Sequence, residues 1–470
     1  MDRYTFISWT TIGLCCISCT NEKKDIQKVK SKLPNIVFIY TDDMGYGDAG
    51  CYGANSIQTP NIDNMAEEGI RFTNFYSCSP VSSPSRAGLL TGRYPVRQGI
   101  TRVFFPNSLQ GIDSSEVTIA ELLKQQGYAT GIIGKWHLGH LPEFLPIEHG
   151  FDYWFGLPYS NDMEWEPRND PPLPLYRQQH IIDQPTYQNT LTQRYTIEAQ
   201  NFIAKHQDEP FFLYLAHTFP HTPLHVSEEF EDTSPTLYGD VIQELDKSVG
   251  EVLKTLRTFG LDSNTLIVFS SDNGPAPGFN APPQKGHGSP GNLRGWKATT
   301  FEGGIKVPTL ARWKGKIKPN QVIETPCIMM DWFCTFANLA NTTIPNDRPI
   351  DGKDLSGLLF NNGSREEAEF YFYFNEELRA MRSGDWKYKK AFEGSRKWKP
   401  HEAMLFNLNK DPNETNNLID QYPELADSLK KKMQTFIKEL GDIPEPKVRA
   451  IPFDDPRKDK KPNPRPRQSL

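Results

Sequence analysis

Cysteine is scarce in this chain: seven among 470 residues, with three of them, Cys15, Cys16 and Cys19, crowded at the N-terminus. The other four, Cys51, Cys78, Cys327 and Cys334, are scattered and form no CxxC pair, which excludes a disulfide framework and a zinc ribbon and leaves open only an isolated Cys51–Cys78 bridge. Past the N-terminus no run reaches the roughly 18 consecutive apolar residues of a membrane-spanning helix. Basic charge is not in excess, since 52 Lys and Arg face 58 Asp and Glu for a net charge of −6, so no field holds a polyanionic nucleic acid. Internal repeats and low-complexity tracts are also missing: the 34 glycines and 38 prolines are dispersed as loop punctuation. A hydrophobic fraction of 37% over this length supports a large buried core.

At the N-terminus Arg3 precedes a mostly apolar stretch from Tyr4 to Ile17, then Ser18-Cys19-Thr20 and the polar run Asn21 to Asp25. This pattern predicts an export signal too short to span a bilayer. A small residue before a cysteine there resembles a bacterial lipoprotein signal, with Cys19 as the lipidated first residue of the mature chain, although Cys16 stands where that motif prefers leucine. Residues 1–19 are then signal and 20–32 linker. The resemblance implies a protein exported to the periplasm, or to the outer-membrane or cell surface of a Gram-negative bacterium, with membrane contact only through a lipid on Cys19. A plain cleaved signal peptide is the alternative.

Four short apolar runs each end in polar residues: Ile36 to Tyr40 before Asp42-Asp43, Thr130 to Ile133 before Lys135, Phe211 to Leu215 before His217, and Leu266 to Phe269 before Asp272-Asn273. Unalternated runs suit strands buried on both faces, which predicts an α/β fold with a large, mainly parallel sheet sandwiched by helices. Helices are predicted over Thr118 to Gln126, stopped by Gly127, and along Val241, Leu245, Val249, Val252 and Leu256. In such a sheet the carboxyl ends of the strands share one edge, so the polar residues that follow them converge. This body covers 33–345. A smaller α+β domain follows over 346–443, with strands at Phe370 to Phe374, Ala380 to Lys390 and Met404 to Leu408 and a helix from Pro423 to Leu440. Residues 444–470 read as a Pro- and Lys-rich extended tail.

Three motifs carry chemistry by residue type. Pro84 and Ser85 open a helix, which places Ser82 at its N-terminus and Arg86 one turn inward, an arrangement suited to an anion. Asp42-Asp43 and Asp272-Asn273, gathered at one sheet edge, offer all-oxygen ligation that selects a hard cation over zinc. His217, His221 and His225 have the spacing of a helical zinc face, but Pro220 and Pro223 fall inside the span and break that helix.

The segment Ser82-Ser83-Pro84-Ser85-Arg86, running on to Leu90-Thr91-Gly92-Arg93, resembles the signature of the sulfatase family, within the alkaline phosphatase superfamily. Cys78-Ser79-Pro80 begins like the same signature and fails, because the position four beyond Cys78 is Ser82 rather than arginine. The resemblance implies an alkaline phosphatase-like fold and a nucleophile made from Ser82 by oxidation to formylglycine, carried out by a serine-type radical maturase. It also implies one Ca²⁺, ahead of Mg²⁺, held by Asp42, Asp43, Ser82, Asp272 and Asn273. Lys135 would bind sulfate oxygens, Lys297 would contact the bridging oxygen, and both together with Arg86 and the cation would neutralise the charge of the ester. His137 would hydrogen-bond the nucleophile and act as base, and His221 would meet the ester oxygen, with His217 and His225 structural. The blocks that carry this are Gly134 to Gly139, His221-Thr222-Pro223 and Lys297 to Gly304.

The implied activity is an exo-acting sulfuric ester hydrolase with a sulfated sugar or oligosaccharide as partner. Pro158 to Trp165 and the basic, aromatic C-terminal domain are candidate walls of the pocket for the leaving sugar. Two other readings stay open: a phosphatase or phosphodiesterase of the same superfamily that uses Ser82 directly, and a catalytically silent glycan-binding surface lipoprotein.

Overall fold

The structure is a computed structural model that describes residues 1–2, 33–277, 287–367, 369–394 and 399–449. The predicted signal, and the tail beyond residue 449, lie outside the described residues. No described helix is long and apolar enough to cross a membrane.

The four predicted strands form the centre of a ten-stranded sheet, at Asn35–Thr41, Ala129–Gly134, Phe211–Ala216 and Thr265–Ser271. Asn35–Thr41 runs parallel to Thr265–Ser271 on one side and to Phe211–Ala216 on the other. Ala129–Gly134 and then Tyr153–Gly156 continue the parallel set. Along the first strand, Ile36, Phe38 and Tyr40 join one buried cluster while Val37 and Ile39 join the other. Both faces are therefore covered, which is why the run shows no polar alternation. Antiparallel strands flank the parallel centre: Thr309–Arg312 and Ile70–Phe72 on one side, Leu175–Arg177 and His180–Asp183 on the other.

Helix Ile119–Lys124 starts at Thr118, whose hydroxyl accepts from the Glu121 amide while the Glu121 carboxylate accepts from the Thr118 amide. The period-3.6 stripe lies on helix Leu237–Thr258, whose apolar side covers the sheet face that carries Val37 and Ile39.

The C-terminal sheet has four antiparallel strands, Phe370–Phe374, Glu377–Ser383, Trp386–Lys389 and Met404–Asn407. Helix Pro423–Leu440 closes it, with Phe436 stacked on Tyr371 at a centroid distance of 4.0 Å. This sheet shares one compact unit with the large one. Buried Lys387 pairs with Glu302 at 2.9 Å, and Arg382 donates to the Tyr76 hydroxyl. At the start of the tail, Lys447–Val448 pairs with Gln110–Gly111 as a short antiparallel ladder. All four described cysteines are free thiols, so the Cys51–Cys78 bridge does not form: each sulfur sits in its own packed site.

Candidate active site

The carboxyl ends of the parallel strands meet at one edge and bring the predicted residues together. Ser82 is the first residue of helix Ser82–Thr91, all of which is buried, and extended Val81 is its N-cap. The Ser82 hydroxyl donates to Asp42 Oδ1 at 3.0 Å. Lys135 leaves its strand at Gly134, where φ is 111° and a Cβ would lie 1.8 Å from the Ala216 carbonyl oxygen, so only glycine makes this exit. Its ammonium pairs with Asp42 and donates to the Ser160 hydroxyl at 3.0 Å, with the Ser82 hydroxyl 3.5 Å away. Lys297 reaches the Asp43 carboxylate at 2.7 Å.

Arg86 does not face the open side of the site. Its guanidinium grips Asp272 Oδ2 from Nε and Nη2, at 3.2 and 3.0 Å, and donates from Nη1 to the Lys135 carbonyl oxygen at 2.9 Å. Asp272 Oδ1 accepts from the Asp43 amide at 3.1 Å. Asp272 thus acts as a brace between Arg86 and the Asp43 backbone, whereas Asp42, Asp43 and His221 present ligand atoms within 4.8 Å of one another.

Asn273 donates to Asp43 Oδ1 at 2.7 Å, and its own buried Oδ1 has no partner. An orphaned carbonyl oxygen beside two carboxylates fits a hard cation with oxygen ligands, since such an atom is costly unless something satisfies it. A two-zinc phosphatase centre does not fit: among the described residues this is the single group of candidate ligands, and it holds one histidine.

His221 is set for proton transfer. Its Nδ1 faces the Thr222 carbonyl oxygen at 2.6 Å and Asn161 Oδ1 at 3.1 Å, two acceptors that assign the proton to Nδ1. Nε2 lies 3.2 Å from the Ser160 hydroxyl and 3.7 Å from Asp43 Oδ2. His137 is placed differently from the expectation: Nε2 meets the Phe104 carbonyl oxygen at 3.0 Å rather than Ser82, and its buried Nδ1 has no partner. His217 is buried and His225 half-buried, away from the cluster against Ser248 and Asn189, and desolvation pushes them down to about 3 and about 4, neutral side chains of the packing.

Electrostatics follow from burial. Burial works to raise Asp42, but Lys135, His221, Arg86 and Lys297 outweigh it and hold the carboxyl well below the usual range. Burial, followed by Lys135 and Arg86, drives His137 well below its ordinary value, so the ring is neutral with a free lone pair at Nδ1. Lys135, Arg86 and Asp42 are fully covered, while the side chains of His221 and Lys297 are 11% and 18% exposed. An ester therefore meets His221 and Lys297 first. Asp43, His137 and Ala298 hold φ of 68°, 62° and 66°, left-handed backbone that costs about 1–3 kcal/mol each and gathers where geometry is fixed for function.

Ser160 and Asn161 lie in the Pro158 to Trp165 segment expected at the wall of the leaving-sugar pocket, but their contacts to Lys135 and His221 were not expected. Both follow strand Tyr153–Gly156, and the signal that finds them is the rule used for the other four strands: an apolar run, Trp154 to Leu157, that ends in polar residues at the same sheet edge.

Comparisons with known proteins agree with this geometry. The sulfatase family model matches residues 34–342, and the model described as N-sulphoglucosamine sulphohydrolase, C-terminal, matches 295–439. N-acetylgalactosamine-6-sulfatase of Mus musculus is 41% identical over 374 residues, covering 75% of this chain and 71% of its own. Arylsulfatase A of Bos taurus is 40% identical over 438 residues, covering 84% and 85%. A solved chain described with the metabolism of multiple glycosaminoglycans by Bacteroides thetaiotaomicron superposes with a TM-score of 0.78 at 30% identity, covering 87% of this chain and 100% of that one. Matched from the first strand of the sheet to Thr342, and similar to named sulfatases over most of its length, the chain belongs to the sulfatase family and is a sulfuric ester hydrolase.

Proposed function

We propose that the protein is an exo-acting glycan sulfatase whose nucleophile is a formylglycine made from Ser82 by a serine-type radical maturase. The observation that carries this reading is the placement of the Ser82 hydroxyl, held between Asp42 and Lys135 at the start of a buried helix. The relative acts on N-acetylgalactosamine 6-sulfate by its name, and the solved neighbour belongs to work on glycosaminoglycans, which supports a sulfated carbohydrate as substrate. The N-terminal pattern supports export, with lipid on Cys19, to the periplasm or surface of a Gram-negative bacterium.

Once formed, the hydrated aldehyde supplies the attacking hydroxyl and a second hydroxyl that lets sulfate leave afterwards. Ca²⁺ would be held by Asp42, Asp43, Asn273 and position 82, with Asp272 orienting Asp43 through its amide. Lys135 and Lys297 neutralise sulfate oxygens. In its doubly protonated form His221 would deliver the Nε2 proton to the leaving sugar oxygen and become the neutral ring, whose remaining Nδ1 proton stays held by Asn161 and Thr222. His137 would act as the base for position 82 through its unpartnered Nδ1, since its Nε2 is taken by the Phe104 carbonyl oxygen.

The test is turnover by protein matured with the serine-type enzyme, on sulfated sugars and on the matching phosphates. Sulfate release that is lost in Ser82→Ala supports the reading. Phosphate release alone would establish the phosphatase instead, and no turnover with intact sugar binding would leave a silent binding protein.

A further inference from the structure

The loop that carries Lys297 also walls a second cavity. Trp296 and Ala298, on either side of it, line a space of about 960 Å³ against the C-terminal sheet, while the Lys297 ammonium turns the other way to Asp43. The volume is that of a small-molecule site. Its lining carries Arg294, Arg379, Lys389 and Lys399, and no carboxylate among the described residues.

Three of these cations are fixed over aromatic faces. Arg294 Cζ and Lys389 Nζ lie 4.1 and 4.3 Å from the Phe301 centroid, and Arg379 Cζ lies 4.2 Å from that of Phe392. Such contacts hold the charges in place without neutralising them. Arg294 donates to the Glu414 carbonyl oxygen and Lys389 to the Thr300 hydroxyl, at 2.9 and 2.7 Å, whereas Arg379 pairs with Glu377 at 2.8 Å. Lys389 is 4% exposed and makes no ion pair among the described residues. Burial, then the neighbouring Lys387, pushes its ammonium down to about 7 against the pull of the Glu414 carboxylate, so an anion in the cavity would add charge compensation that burial withholds.

We infer that this cavity binds a second anionic group, a carboxylate or another sulfate, on the sugar next to the one that is desulfated. The inference rests on the glycan sulfatase reading above. Trp296, 38% exposed at the cavity edge, gives that sugar a flat apolar face. The lysine at the ester is flanked directly by two residues of the cavity wall, Trp296 and Ala298, which places the cavity beside the position of the leaving sugar.

The test is calorimetric binding to the full chain with Ser82→Ala, in calcium buffer at physiological salt. The probes are three disaccharides of 6-O-sulfated N-acetylgalactosamine, linked to glucose, to glucuronate or to 6-O-sulfated glucose. The expected Kd is about tenfold lower for the charged neighbours than for glucose, the size of one charge-assisted contact. In Arg379→Gln/Lys399→Gln, and separately in Lys389→Met, that preference collapses toward one. A preference confined to one of the two anions supports the site and names its ligand. Equal affinities, no binding of any probe, or a preference that the variants leave intact would overturn the inference. Failure of the sulfatase reading shows up elsewhere, as absent sulfate release by the matured wild type, which calorimetry does not require.

Discussion

The Ser160 hydroxyl lies 3.2 Å from Nε2 of His221, the nitrogen assigned to meet the leaving oxygen. The same hydroxyl accepts from Lys135 at 3.0 Å, so one small side chain links a sulfate-binding cation to the proton donor. Ser160→Ala is expected to lower kcat about 10- to 100-fold with a smaller change in KM, since it removes the hydroxyl that links Nε2 to Lys135 while Asn161 and Thr222 still hold the ring at Nδ1. Ser160→Thr keeps the hydroxyl and restores part of the rate. Equal losses in both variants would show that volume, not the hydroxyl, matters at this position.

Arg86 and Asp272 form a buried pair with no exposed side-chain surface. Arg86→Met leaves the Asp272 carboxylate uncompensated and is expected to destabilise the fold by about 3–5 kcal/mol. Adding Asp272→Asn returns part of that loss, because the buried charge is then gone. Urea unfolding of the two variants checks this, and an additive double variant would contradict it.

The cation site is tested by stability as well as rate. Ca²⁺ at about 100 times its Kd is expected to stabilise the native chain by about 2.7 kcal/mol. Asn273→Leu, which removes the orphaned oxygen, is expected to abolish most of the Tm rise. Chelation removes activity and Ca²⁺ restores it. A Tm rise that survives Asn273→Leu would place the ion elsewhere.

Lys389 gives stability a pH dependence of known sign. Unfolded, it keeps its proton up to its ordinary 10.5, and folded it loses that proton near 7. Between these values the unfolded chain binds more protons, so this group makes stability rise with pH. Below about 7 both states are charged and the full cost of the buried ammonium applies. Lys389→Met is therefore expected to gain most over wild type at pH 6 and progressively less toward pH 10. Melting temperatures across that range decide it, and a gain independent of pH would contradict the sign.

The sheet centre was legible because strands covered on both faces must be apolar throughout, and the site because their polar successors share one edge. Asp42, Asp43, Lys135, Asp272 and Asn273 converge as that rule requires, whereas His217 packs away from them against Ser248, and Ser82, His221 and Lys297 were found through the family motifs instead. The flanking strands were not legible: Thr309–Arg312 and Leu175–Arg177 are three or four residues long, and long-range pairing sets their direction. The Phe104 carbonyl that takes His137 Nε2 lies 33 residues away on an irregular loop, a contact no local pattern encodes. Arg86 carried an anion-binding expectation from its motif, yet its guanidinium is taken up by Asp272 and the Lys135 carbonyl oxygen, which makes it a brace.

The central claim is that Ser82 becomes the nucleophile by oxidation, and the most direct measurement is peptide mass analysis of the segment around it, from chain produced with an active serine-type maturase. The account predicts a loss of two hydrogens at Ser82, about 2 Da, for serine converted to an aldehyde nucleophile. An unmodified Ser82 in a preparation that still hydrolyses sulfate esters would contradict it.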